Sequence, residues 1–174
     1  MHLIIDGYNL IRQSDTLRSC ERISLEAGRQ ALVRSLAAYR RAKGHRITVV
    51  FDGWMGGSPQ EERDRAGGVE ILYSRRGEKA DELIKRLLTQ GGEEILVVTS
   101  DREIAHFAAR RGKTAVASPA FAAILEGAAA GPAAGLRPKR DEEDDARQGK
   151  AKKKGPARRL SREQRAALAR IRKL

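Results

Sequence analysis

Three short apolar segments, each ending in an aspartate, constrain the fold of this 174-residue chain most. They run from His2 to Asp6, from Arg46 to Asp52 and from Glu94 to Asp101. Strands that are apolar almost without interruption, rather than alternating, are typical of a parallel sheet covered on both faces. The sequence therefore predicts a buried parallel sheet, to which residues 69–73 and 113–117 add weaker candidate strands.

Between these strands the apolar residues follow a helical period. Positions 25, 32, 36 and 39 share one face of a segment that Ser24 opens and Gly44 closes. Residues 80–88 carry a second apolar face, and a capping box formed by Ser100 and Glu103 predicts a helix that continues to position 109. Alternating strands and helices predict an α/β sandwich around a mainly parallel sheet, with ligands at the carboxyl ends of the strands.

The positive charge lies mostly in the last part of the chain. A total of 35 Lys and Arg against 23 Asp and Glu gives a formal net charge of +12. Residues 1–136 hold 20 basic and 17 acidic side chains, so +9 of this charge belongs to residues 137–174. Such a surplus predicts polyanionic partners.

We predict three regions along the chain: a domain over 1–127, a charged low-complexity linker over 128–160 and a short basic helix over 161–174. The linker begins rich in Ala, Gly and Pro and continues with an acidic and a basic block, none of which can bury a core. We expect this tail to be largely disordered before the final helix. The apolar stripe of that helix leaves open whether it docks on the domain or folds on a partner.

Several protein classes are excluded by simple features. No apolar run approaches the roughly 20 residues of a membrane-spanning helix, so we expect no membrane partner. The single cysteine, Cys20, excludes an internal disulfide and a cysteine-ligated zinc site. The first residues lack the pattern of a secretory signal, and we therefore expect a cytoplasmic protein.

The strand ends bring carboxylates together. Asp6, Asp52 and Asp101 follow three parallel strands at the same edge, and Asp81 joins them if the helix near position 80 starts there. Two such charges about 4 Å apart repel by about 4 kcal/mol at an effective dielectric near 20. Oxygen ligands without His or Cys favour Mg²⁺ or Mn²⁺ as the compensating charge, which indicates hydrolysis or transfer at a phosphate.

Each aspartate also has a simpler explanation. An isolated Asp at such a position is more often a helix cap or a first-turn residue than a metal ligand. Asp101 is the clearest example, since Ser100 is predicted to cap that helix. The joint occurrence at three strand ends favours a shared site.

The same residues carry a resemblance to a known family. The segments Asp6-Gly7-Tyr8-Asn9, Phe51-Asp52-Gly53, Gly77-Glu78-Lys79-Ala80-Asp81-Glu82 and Thr99-Ser100-Asp101-Arg102-Glu103 occur in that order within residues 1–127. They resemble the YacP-like branch of the NYN domains, in the PIN-like ribonuclease superfamily. The resemblance implies a PIN-like three-layer α/β/α fold and a divalent-metal-dependent endoribonuclease that leaves 5′-phosphate and 3′-hydroxyl ends.

The resemblance also implies site residues and partners. Its acidic cluster transfers to Asp6, Asp52, Asp81 and Asp101 as catalytic and metal-binding residues, and its polar residue to Asn9, which is as readily a turn or capping residue. Some members of this branch are ribosome-associated and act on messenger RNA. mRNA or rRNA, with the ribosome, is therefore the expected partner.

Further candidate RNA-binding residues lie outside the acidic positions. Arg76, Lys79 and Arg102 flank the acidic motifs and are candidates for phosphate contacts, although a solvated helix face explains each one alone. Trp54 lies in a loop predicted over 53–68 and offers a base-stacking ring, although packing under its own loop explains it as well. The basic block contributes Lys152, Lys153, Lys154, Arg158 and Arg159.

Two other functions compete with the nuclease hypothesis. An RNA- or ribosome-binding adaptor with little or no turnover would carry the same charge pattern. A metal-dependent phosphatase would use a similar sheet. The sequence leaves the RNA target, the number of metal ions and the oligomeric state open.

Overall fold

We describe the fold from a computed structural model, in which residues 1–53, 60–90, 94–129, 170 and 173–174 are described. This part of the chain contains six strands and six helices. They are β1 (His2–Asp6), α1 (Gly7–Gln13), α2 (Asp15–Glu21), α3 (Leu25–Lys43), β2 (Arg46–Phe51), β3 (Glu62–Ala66), β4 (Val69–Tyr73), α4 (Ala80–Gln90), β5 (Ile95–Val98), α5 (Arg102–Arg110), β6 (Thr114–Val116) and α6 (Ser118–Ala129).

One six-stranded sheet organises the domain, in the order β3-β4-β2-β1-β5-β6. Every pairing is parallel except that of β3 with β4, which is antiparallel. The chain leaves β1 for β2 on one side and later returns to β5 on the other side of β1. The crevice between β1 and β5 is therefore the topological switch point, where open α/β sheets bind their ligands.

Two apolar cores cover the two faces of the sheet. Side chains alternate along a strand, so Leu3 and Ile5 of β1 join the core beneath α1, α2, α3 and α6. Ile4, between them, joins the other core beneath α4 and α5. The predicted three-layer α/β/α sandwich around a mainly parallel sheet is confirmed.

The predicted elements and the observed ones differ in three places. The helix expected between Ser24 and Gly44 is confirmed, with Ser24 as its N-cap and Gly44 at a φ of 71° after its last turn. The expected capping role of Ser100 is wrong, because Asp101 caps α5. The loop predicted over 53–68 contains β3, whose side chains are mostly exposed and therefore show no buried pattern. Helix α6 ends at Ala129, two residues beyond the predicted domain boundary.

The last residues of the chain pack on the domain. Leu174 is only 5% exposed within the core below α3, and its carbonyl oxygen accepts a hydrogen bond from Tyr39 Oη at 2.7 Å. Arg170 Nε lies 3.2 Å from Glu94 Oε1, just before β5. We call Arg170, Lys173 and Leu174 the tail anchor. It lies at the amino-terminal ends of the strands, opposite the switch point.

Two further expectations concern the tail and the membrane. Residues 130–169, which include all but the first two residues of the predicted linker and most of the predicted final helix, lie outside the described residues. Across the described part of the chain, no helix is both long and apolar enough to cross a bilayer.

Candidate active site

A cleft of about 820 Å³ opens at the carboxyl ends of the strands, across the switch point. Strand ends and the first turns of two helices supply its acidic wall. The four predicted carboxylates all line it, and we call them the acidic cluster: Asp6, Asp52, Asp81 and Asp101. Asn9 lines the same cleft. The structure thus brings together five residues from four separate segments of the sequence.

Asp6 is the most enclosed member of the acidic cluster, with 8% of its surface exposed. As the N-cap of α1, its Oδ1 accepts a hydrogen bond from the Asn9 backbone N–H at 3.3 Å. Its Oδ2 accepts one from Thr99 Oγ1 at 3.1 Å. Burial, aided by the charges of Asp81 and Asp101, raises the pKa of Asp6 to about 6 despite these two bonds.

Thr99 connects the two strands that border the switch point. Its buried hydroxyl donates to Asp6 and accepts a hydrogen bond from the Asp101 backbone N–H at 3.1 Å. Asp101 Oδ1 in turn caps α5 by accepting from the backbone N–H groups of Glu103, at 2.6 Å, and Ile104, at 3.2 Å. One hydroxyl therefore fixes the spacing between the ends of β1 and β5.

Asp81 and Asp52 complete the acidic cluster from the other two directions. Asp81 occupies the first turn of α4, where burial and the nearby charge of Asp101 raise its pKa. Asp52 directly follows β2 and accepts a hydrogen bond from Ser74 Oγ at 3.4 Å. Both are half-buried, so their carboxylates remain accessible from the cleft.

Asn9 connects three elements at the rim of the cleft. Its Oδ1 accepts hydrogen bonds from the Ser100 backbone N–H at 3.0 Å and from Ser118 Oγ at 2.7 Å. It therefore holds α1 against the end of β5 and the start of α6. These two bonds give the amide oxygen of Asn9 a structural role. A role of Asn9 in orienting water or phosphate stays a prediction.

Of the predicted RNA-binding residues, the three that the structure describes do not line the cleft. Arg76, Lys79 and Arg102 are exposed, and none of the three is among the described residues that line the cavity. Trp54 lies outside the described residues. The same holds for the predicted basic block: Lys152, Lys153, Lys154, Arg158 and Arg159.

The basic residues of the cleft were not predicted from the sequence. Arg12 and Arg29 line it together with Tyr8 and Tyr73, and we call these four residues the arginine–tyrosine wall. The sequence signal for Arg29 was its spacing from Leu25. The two residues lie four positions apart on α3, and both line the cleft. That spacing places both residues on one face of α3, but only the fold shows which end of the sheet this face reaches.

The chemistry of the cleft suits a divalent cation. Its described lining holds five carboxylates, including Glu62, against two guanidinium groups, so its formal charge is −3. Among the described residues no three His, Cys, Asp or Glu side chains are gathered closely enough to enclose an ion by themselves. Mg²⁺ usually keeps several waters and binds through one or two carboxylates plus substrate phosphates, which fits an open acidic site of this kind.

Comparison with known proteins agrees with this geometry. A family model described as YacP-like NYN domain matches residues 3–173, and so extends beyond the segments that carry the resemblance. The uncharacterized protein YacP of Bacillus subtilis (strain 168) is 33% identical over 102 residues. That alignment covers 57% of this chain and 59% of the relative, which is less than two thirds of its length.

Two solved structures share the fold. They are crystal structures of Rae1 (YacP) from Bacillus subtilis, one of them of a mutant, with TM-scores of 0.62 and 0.61. Both are 26% identical to this chain and cover 75% of it, and the matches span 76% and 77% of the two solved chains. With the family model matched over nearly its whole length, this chain belongs to the YacP-like NYN domain family, whose domains are RNase-type nucleases on a PIN-like fold.

Proposed function

We propose that this protein is an endoribonuclease that uses Mg²⁺ or Mn²⁺ to hydrolyse RNA phosphodiester bonds. The observation that carries the proposal is the convergence of four carboxylates in one open cleft at the switch point of the sheet. Such a cleft repels a polyanion unless a cation is present, because its described lining carries a formal charge of −3. Membership in a nuclease family supports the same chemistry.

Asp6, Asp81 and Asp101 are the residues that would hold the ion, with Asp52 in support. A divalent ion bound there lowers the pKa of water and stabilises negative charge on phosphate oxygens. Thr99 keeps the carboxylates of Asp6 and Asp101 at a fixed separation through its two hydrogen bonds. The two rigid helix caps also prevent these carboxylates from rotating away from the cleft.

Hydrolysis of the phosphodiester replaces one bond at phosphorus by another. A water oxygen forms a bond to phosphorus, the bond between phosphorus and the 3′ oxygen breaks, and the 3′ oxygen takes up a proton. The products are a 5′-phosphate and a 3′-hydroxyl. The proton that the water gives up balances the proton that the 3′ oxygen gains, so the step needs no further reactant.

We further propose mRNA or rRNA as the substrate, the ribosome as a partner and the cytoplasm as the location. The support is the distribution of charge, since residues 137–174 carry +9 of the net +12. A basic segment of this kind binds phosphates without reading sequence, so it would hold RNA near the cleft.

The test is cleavage of a labelled RNA by the purified protein with Mg²⁺ or Mn²⁺ and with EDTA. We expect cleavage that EDTA abolishes and that Asp101→Asn reduces by about 100-fold or more, because a lost ligand removes transition-state stabilisation. Asn still caps a helix, so α5 should remain intact. Asp15→Asn, an exposed first-turn residue of α2, is the matched control and should cleave normally.

Three outcomes would overturn this proposal. Full activity of both Asp6→Asn and Asp101→Asn would show that the acidic cluster does not perform the chemistry. Binding of RNA without any cleavage in either metal would instead identify an adaptor, and turnover of small phosphate esters alone would identify a phosphatase.

A further inference from the structure

Part of the cleft lining is built from aromatic rings and guanidinium groups that contact one another. Arg12 lies 5.8 Å from the ring centre of Tyr8, and Arg29 lies 5.6 Å from that of Tyr73. Phe51 packs between the two tyrosines, with ring centres 5.2 Å from Tyr8 and 5.8 Å from Tyr73. The arginine–tyrosine wall is therefore one continuous surface.

Arg29 is the central charge of this wall. It opposes the effect of burial, which raises the pKa of both Tyr8 and Tyr73, so its guanidinium lies within electrostatic reach of both rings. Its Nε is buried and has no hydrogen-bond acceptor among the described residues. A buried charged donor without an acceptor is costly. Because Nε itself is enclosed, an anion in the cleft would reach Arg29 at the exposed 26% of its side chain.

The intramolecular partners of these arginines do not account for their position. Arg29 contacts Glu26 at 2.8 Å, one turn earlier on α3, and Glu26 is largely exposed. Arg12 lies 3.8 Å from Glu21, at the outer limit of an ion pair. In each pair one partner is largely exposed to solvent, which screens the attraction and limits its contribution to stability. Both arginines therefore remain available to an external anion.

The combination of groups selects a nucleotide with an unpaired base. Guanidinium groups bind phosphate oxygens, and tyrosine rings stack on bases that are free of a partner strand. The acidic cluster, which lines the same cleft, repels phosphate. Within the described part of the cleft, an RNA phosphate that is not in contact with a metal ion is therefore favoured only beside Arg12 and Arg29.

We propose that Arg29, with Tyr8 and Tyr73, forms a subsite for one unpaired nucleotide of single-stranded RNA, next to the phosphate that is cleaved. This inference rests on the proposed function, since it names the form of RNA that the same cleft accepts. Arg12 adds a second positive charge at the outer end of the subsite. A duplex, whose bases are stacked on each other, cannot use the tyrosine rings.

The first experiment locates the bound RNA on the full-length chain. An oligouridylate containing 4-thiouridine is photocrosslinked in EDTA to the Asp6→Asn/Asp101→Asn protein, in which both helix caps are preserved and repulsion in the cleft is reduced. We expect mass spectrometry to find crosslinks on the peptides that contain Tyr8 or Tyr73. Crosslinks confined to residues 150–159, or none in the cleft, would overturn the subsite.

The second experiment measures affinity in the same background by fluorescence anisotropy. Arg29→Gln should weaken binding of the oligouridylate about tenfold. It should also make the dependence of log affinity on log salt shallower by about 0.7, as expected when one phosphate contact to a single strand is lost. Arg34→Gln, which removes an exposed arginine from the same helix, is the matched control and should change neither quantity.

Substitutions in the rings separate stacking from a structural effect. Tyr8→Phe and Tyr73→Phe keep a ring face and should retain most of the affinity, whereas Tyr8→Leu and Tyr73→Leu should lose severalfold. Equal affinity of the Arg29→Gln and Arg34→Gln proteins, or duplex bound as tightly as single strand, would refute the subsite. Absence of cleavage alongside Arg29-dependent crosslinks would reject only the proposed enzyme activity.

Discussion

Asp6 serves both the fold and the cleft with one carboxylate. It caps α1 through Asn9 and holds Thr99 across the switch point, while it faces two other carboxylates. The fold therefore needs the hydrogen bonds that the Asp6 side chain accepts, whereas its negative charge is unfavourable in the metal-free protein. Asn separates these effects in part, because it removes the charge and keeps the oxygen that caps α1, while its NH2 group replaces the oxygen that accepts from Thr99.

We predict that Asp6→Asn stabilises the metal-free protein at neutral and higher pH. The pKa of Asp6 rises from 3.8 to about 6 in the folded state, so the folded protein binds this proton more tightly than the unfolded chain. Protonated Asp6 therefore adds to the free energy of unfolding below about pH 4, and this contribution is lost as the pH rises through about 6. At about pH 8 the substitution should therefore add up to about 3 kcal/mol to the free energy of unfolding.

Chemical denaturation in EDTA at about pH 8 and about pH 4 measures this effect. The gain from Asp6→Asn should vanish at the lower pH. Asp15→Asn, an exposed acid in the first turn of α2, should show no such gain at either pH. An Asp6→Asn protein that is less stable than the parent at about pH 8 would contradict the prediction. Added Mg²⁺ should raise the midpoint of the parent protein more than that of Asp6→Asn.

The acidic residues of the cleft were predictable from the sequence, whereas the basic ones were not. Asp6, Asp52 and Asp101 end or directly follow strands, so a parallel sheet alone places them at one edge. Arg29 lies in the first half of a long helix, and its distance to Tyr73 depends on how α3 packs on the sheet. No local pattern contains that information.

At the scale of elements, the fit between α1 and the end of β2 positions the acidic cluster. Gly7 begins α1 directly after Asp6, where an added Cβ would lie 2.6 Å from Cδ1 of Phe51 and 2.9 Å from the Val50 carbonyl oxygen. Phe51 is fully buried and in contact with Tyr8 and Tyr73. The close approach of this helix start to β2 therefore supports both sides of the cleft.

We predict that Gly7→Ala destabilises the protein by about 1–3 kcal/mol, the usual cost of overpacking, and also lowers RNA cleavage. Gly127→Ala is the matched control on α6, where an added Cβ meets nothing within 4 Å, and it should be neutral or slightly stabilising. Urea denaturation midpoints measure the comparison. A Gly7→Ala protein as stable as the parent would show that α1 shifts without cost.

The elements themselves were predictable where apolar spacing is strong. Helix α3 has a cap at each end and an apolar face, so both its type and its limits follow from the sequence. Strand β3 reads Glu-Arg-Asp-Arg-Ala and is almost fully exposed at the edge of the sheet. Its pairing with β4, rather than any pattern of its own, makes it a strand. Ser100 failed as a predicted cap because Asp101, one residue later, makes both capping bonds.

At the scale of the whole molecule, the cleft and the tail anchor occupy opposite ends of the sheet. Leu25 at the start of α3 lines the cleft, whereas Tyr39 near its end contacts Leu174. Arg170 contacts Glu94 and Thr114, which precede or begin β5 and β6. The tail anchor therefore stabilises the domain without touching the cleft.

We predict that Leu174→Ala lowers the free energy of unfolding by about 2–5 kcal/mol, because a buried leucine leaves a cavity. Cleavage of RNA at a temperature where the protein stays folded should be unchanged. Lys173→Ala is the control, since the side chain is exposed and Lys173 bonds through its backbone, with its N–H donating to the Arg170 carbonyl and its carbonyl contacting His45. Thermal unfolding followed by circular dichroism measures both. Unchanged stability of Leu174→Ala would show that the anchor does not contribute.

The two edge strands of the sheet affect how copies of this protein can associate. One margin is β3, whose Arg63, Asp64 and Arg65 are exposed, and the other is β6, which has only three residues. A second molecule adding a strand to β3 would have to dehydrate alternating charges, and β6 offers too little backbone for a lasting ladder. Fibril-like growth through either margin should thus be suppressed, leaving helical surfaces as the route for any self-association.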